Sequence, residues 1–146
     1  MKYAAAVLVV VGGLLVFLQS VSAEIRVCRS ALEGLSRGQA WAQGRVDWNR
    51  LSAMGMNVGA TYASLPNDRE RARYRQAFIT QFSKGFKGTG ASARDFINWR
   101  VVERETDRIV VAADYPGKGK TLLMTITARG KQRVESIQWA TAEDAE

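Results

Sequence analysis

Apolar and polar positions along this chain fall into three regimes. An unbroken apolar run from Ala4 to Leu18 comes first, then three- and four-residue steps as far as Phe86, then alternation up to Trp139. Each regime predicts a different kind of element.

In the middle regime, Val27, Ala31, Leu32 and Leu35 recur at helical steps and predict a helix from Glu24 to about Gln43. A second helix is predicted through Trp48, Leu51, Met54, Val58, Tyr62 and Leu65, capped by Asp47 and stopped by Pro66. Gly55, Gly59 and Ala63 would form a bare stripe on it, inviting either a closely packed neighbour or a ligand groove. The third helix opens at Asn67 or Asp68 and carries Tyr74, Phe78, Phe82 and Phe86 at four-residue steps, one aromatic face suited to covering a sheet.

The glycine-rich stretch "KGFKGTGASAR" reads as a linker, and beyond it the period changes to two. Ile97, Trp99 and Val101 alternate, as do Ile109, Val111, Ala113 and Tyr115, and then Leu122, Met124, Ile126 and Ala128. Turn residues at "ETD", "PGKG" and "RGK" separate four strands. The last strand, Gln132 to Trp139, loses phase between Val134 and Ile137, which a bulge would restore. The expected fold is α+β: N-terminal helices packed on a curved four-stranded antiparallel meander.

That order, together with "DRIVVAADYPGKGKTLLMTITARGKQRVESIQW" at 107–139, resembles the cone-shaped superfamily of nuclear transport factor 2-like and cystatin-like domains, in its bacterial envelope form. The resemblance covers residues 40 to 139. It implies a short strand pair between the helices, which the residue pattern does not display. Members with catalytic pockets hold an Asp and a Tyr inside the cone; here Asp114 adjoins Tyr115 but alternates out of phase with it, so it is expected to point outward.

The first regime sets the compartment. Lys2, the apolar run and the Val21-x-Ala23 tract together have the layout of a secretory signal cleaved before Glu24. Residues 4–23 also reach the roughly 20 residues that a membrane span requires, so a retained inner-membrane anchor is the alternative. Either places residues 24–140, the folded domain, in the periplasm or outside the cell, with residues 141–146 as an acidic tail. Cys28 follows Ile25, Arg26 and Val27, unlike a lipidated cysteine. Being the single cysteine, it either is buried and inert or pairs between chains, and its nearness to the apolar segment favours burial.

Composition narrows the chemistry. The chain has no histidine, which removes the commonest general base and most zinc and copper sites, so neither catalysis nor a metal or cofactor is expected. "YPGKGKT" ends like a phosphate loop, but Asp114 stands where its first glycine belongs and the segment joins two strands. The net charge of +7 belongs to the first half, where Glu24 to Arg94 hold twelve basic and five acidic residues. Its densest run, Arg69, Arg71, Arg73 and Arg75, is either an anion- or partner-facing patch or a solvated face. An anionic membrane surface or an acidic protein suits this field; nucleic acid is not expected outside the cytoplasm. Two functions fit: a non-enzymatic envelope interaction or scaffold domain, binding an envelope protein or a second copy, or a carrier of an apolar molecule held by Tyr74, Phe78, Phe82, Trp99 and Met124.

Overall fold

The computed structural model describes residues 23–141. The leader or anchor expected over residues 1–23 thus lies, but for Ala23, outside the described residues, as does the acidic tail beyond Thr141. Among the described residues, no helix is long and apolar enough to cross a membrane.

Helix α1 (23–36) buries Cys28, Ala31, Leu32 and Leu35, one face of a helix at i, i+3, i+4 and i+7. It ends well before the expected Gln43: the chain turns at Arg37 and Gly38, and a 3-10 helix over Ala40–Arg45 replaces the rest. Burial pushes the Cys28 thiol up to about 12, helped by the nearby Glu24 carboxylate. Because the thiolate is the reactive form, iodoacetamide at pH 8 is expected to leave Cys28 unmodified in the folded protein and to label it fully in denaturant. Mass spectrometry checks this; rapid labelling without denaturant would refute it.

The second predicted helix is corrected. In its place the chain forms two short strands, β1 (Ser52–Ala53) and β2 (Met56–Asn57), followed by α2 (Val58–Ala63). Met54 at φ 48° and Gly55 at φ 82° make the turn between the strands, a left-handed conformation no helix contains. The cap is Asn57 instead of Asp47, its Oδ1 accepting from the Ala60 amide at 3.0 Å. The helical spacing misleads because Trp48, Leu51, Val58 and Tyr62 are all buried though not on one helix, while Met54, expected on the same stripe, is exposed in the turn. Gly59 is the residue of the proposed stripe that meets a close neighbour: a Cβ there would collide with the Asn49 carbonyl.

Helix α3 (Asp68–Gly88) begins where predicted, with Asn67 Oδ1 accepting from the Glu70 amide at 2.9 Å. It runs through Lys84–Gly88, so the expected linker starts only at Thr89. Ser83, buried, donates from Oγ to the Ser36 carbonyl and ties α3 to the end of α1.

The sheet has six strands instead of four and is mixed. Strands β3 (Ile97–Arg104), β4 (Arg108–Tyr115), β5 (Lys120–Thr127) and β6 (Val134–Trp139) pair antiparallel in sequence, while β1 joins β6 in parallel, giving the order β2-β1-β6-β5-β4-β3. Two residues per strand gave β1 and β2 too little length to show alternation. The register shifts between β5 and β6, where Thr125 faces Ser136 and Ile126 faces Val134, the irregularity expected at the phase break. A further shift between Ile97 and Arg100, with Asn98 at φ 54°, breaks the expected alternation of β3: Ile97 is exposed, while Trp99 and Val101 pack toward the core. Bulges at these places increase local twist and bend the sheet.

Candidate functional site

The aromatic face of α3 does not pack uniformly. Its first part enters the core: Phe78 meets the buried Trp48 edge-on at 5.5 Å, and Tyr74 lies 6.2 Å from Tyr62. Its last part continues into a stack. Phe82 lies over Phe86 with planes 19° apart, Phe86 over Phe96 at 29°, and Phe96 over Tyr115 at 19° and Trp139 at 20°. Helix α3, strands β4 and β6 and the residue preceding β3 thus contribute near-parallel rings at centroid separations of 5.1 to 6.1 Å, the offset arrangement that aromatic quadrupoles favour.

Beside this stack is a cavity of about 430 Å³, within the roughly 300–1,000 Å³ range of small-molecule sites. Phe82, Phe86, Phe96, Tyr115, Leu122 and Trp139 give it apolar walls, Leu32 closes it from α1, and Met54 reaches it from the β1–β2 turn. Gly85 leaves the α3 wall bare: a Cβ there would meet no atom within 4 Å. Lys118, from the turn between β4 and β5, and Lys120, the first residue of β5, stand at the exposed side, and Lys120 Nζ lies 5.5 Å from the Trp139 ring centroid. Comparison with protein-family models, curated proteins and solved structures finds no match.

Of the five residues expected to hold an apolar ligand, Phe82 lines the cavity. Met124 is fully buried, paired with Val111 and Ile137 in mid-sheet. Tyr74 and Phe78 pack against the core, and Trp99 donates from Nε1 to the Phe96 carbonyl at 3.0 Å, below the stack. Period two puts Tyr115 on the inner face and the four-residue stripe includes Phe86, whereas Phe96 and Trp139 stand in neither pattern. What no periodicity announces is that the sheet outruns the core at this end, so these side chains border space. Lys118 sits in a turn, where sequence spacing carries no directional signal, whereas Lys120 opens β5 in phase with the inward Leu122 and Met124, a signal that alternation offers.

The structure divides the four arginines of α3. Arg75 turns inward: Nε donates to Gln43 Oε1 at 2.9 Å, Nη1 donates to the Tyr62 hydroxyl at 2.7 Å, and its guanidinium lies 5.9 Å from the Tyr62 ring centroid. Arg71 donates to the Leu65 carbonyl and pairs with Asp68, Arg73 pairs with Glu70, and Arg69 is exposed. Asp114 accepts from Asn98, Arg100 and Thr121 on the sheet's other face. Desolvation opposes its ionisation, but these hydrogen bonds and the Arg100 charge hold its carboxyl below the usual range. A carboxylate so engaged is poorly suited to accept a proton. Among the described residues no cluster of three potential metal ligands occurs.

Proposed function

We propose that this chain is a non-enzymatic, extracytoplasmic binding domain that carries an apolar small molecule in the cavity between α3 and the sheet. The observation that carries this is the cavity itself, about 430 Å³ walled by five aromatic rings and left open at Gly85. Ammonium and phenol groups at its polar side suit holding a ligand in place. Export by residues 1–23, cleaved or retained as an anchor, fits the inaccessible Cys28, which an oxidising compartment would leave unpaired. Membership of the cone-shaped nuclear transport factor 2-like superfamily is supported by β1 and β2, the strand pair between helices that the residue pattern had lacked.

A second reading, an interaction domain for an envelope protein or a second copy, draws support from Met54 and Met56, both exposed on the hairpin beside the cavity. One experiment separates them. Native mass spectrometry of the full chain is expected to show a co-purifying small molecule that the Gly85→Trp variant loses, because the indole would fill the space over residue 85. A dimer without adduct, identical in the variant, would end the carrier proposal in favour of the interaction domain.

A further inference from the structure

The lining of the cavity restricts its ligand by shape and by charge. Flexible acyl chains suit walls of aliphatic side chains that mould around them. Here, beside the aliphatic Leu32, Met54 and Leu122, the larger part of the wall is rings held in nearly one orientation: Phe96, Tyr115 and Trp139 stack mutually with planes within 25° and centroids 5.1 to 6.3 Å apart. Such a set favours a ligand that is itself flat, because one more ring can extend the stack in the offset geometry the others already adopt.

Charge is set at the turn between β4 and β5. Lys118 and Lys120 both border the cavity, and neither is paired with a carboxylate among the described residues. The acids of the neighbouring strands are engaged elsewhere, Asp114 with Arg100 and Glu135 with Arg50. Lys120, though exposed, already places its ammonium 5.5 Å from the Trp139 ring centroid, beside the ring stack. An anionic group at the edge of a stacked ligand would therefore meet positive charge with no competing carboxylate among the described residues. The other polar lining side chains, Gln81, Thr89 and the Tyr115 phenol, carry no formal charge at neutral pH.

We propose that the cavity takes a flat aromatic acid, its ring system extending the stack of Phe96, Tyr115 and Trp139 and its carboxylate or sulfonate held by Lys118 and Lys120. The proposal rests on the cavity being a binding site, as argued above, and adds the chemical class of what it binds.

The test uses fluorescence titration of the full chain with two probes that differ by one group, anilinonaphthalene sulfonate and its uncharged analogue phenylnaphthylamine. Binding that survives Gly85→Trp lies outside the cavity and is subtracted. Both lysines are exposed, so the double variant Lys118→Ala/Lys120→Ala keeps the fold. It is expected to weaken the sulfonate about tenfold, or about 1.4 kcal/mol, and to leave the neutral probe unchanged. Equal effects on both probes, or none on either, would overturn the charge assignment while leaving the cavity a binding site. For shape, naphthoate should displace the sulfonate probe and decanoate should not; the reverse order would replace the flat acid by an acyl chain. If neither probe shows binding that Gly85→Trp removes, the carrier function falls, and the ligand class with it.

Discussion

Met124→Ala is expected to lower the unfolding free energy by about 2–5 kcal/mol and to leave the affinity of the cavity for a neutral aromatic probe unchanged. The side chain is fully buried between Val111 and Ile137 at the middle of the sheet, so its loss removes apolar contacts and leaves a void that β-strands cannot collapse to fill. Residues at the cavity wall behave in the opposite way, since truncating Phe82 or Trp139 enlarges space already present and subtracts contact from the ligand. Urea unfolding followed by tryptophan fluorescence measures the first quantity, with the midpoint moving and the slope constant. A folded Met124→Ala protein of undiminished stability but weakened probe binding would return Met124 to the ligand site.

Gly59→Ala is expected to cost about 1–3 kcal/mol, the range of overpacked sites, and to fall at the upper end of it. The added methyl would meet the Asn49 carbonyl carbon at 2.8 Å and the Arg50 nitrogen at 3.1 Å, main-chain atoms that cannot rotate aside. Moving that backbone also disturbs the bond by which the Gly59 amide donates to the Leu51 carbonyl, the contact that seats α2 beside β1. Gly44→Ala serves as the control, because a Cβ there meets nothing within 4 Å, and its effect should stay within about 0.5 kcal/mol. Equal unfolding midpoints for the two variants would show that α2 does not approach the 49–50 backbone so closely.

Both predictions bear on what could be read from residues alone. The inner faces of β4 and β5 were legible because Ile109, Val111 and Ala113, like Leu122, Met124 and Ile126, obey a period the pleat imposes, and all are buried. The start of α3 was legible because Asn67 is a side chain whose capping chemistry is local. The hairpin at Ser52–Asn57 was hidden. Its strands are two residues long, and the buried positions around them happen to recur at helical steps, so a periodic pattern was assigned to one element when three shared it. Gly55 was the available signal, since a glycine beside a methionine in a polar stretch suits a tight turn better than a helix interior. Phe82, Phe86 and Tyr115 were visible on inner faces, while Phe96, outside any periodic run, was not; whether a face packs or borders a cavity depends on how far α3 lies from the end of the sheet. That distance is set by tertiary contacts such as Ser83 with Ser36, which no local pattern encodes.

The parallel pairing of β1 with β6 ties chain order to the timing of folding. Arg50 and Glu135, 85 positions apart, meet at 3.3 Å across this junction, and Val46 bridges to Val134 on the same strand. Contacts between such distant segments form only after the entropy of closing a long loop has been met. A ribosome must therefore release the chain through β6 before the β1–β2 hairpin has a strand to dock on. Until then β1 and β2 are a two-stranded ribbon with no sheet to extend, so the last strand made is the one that closes the fold.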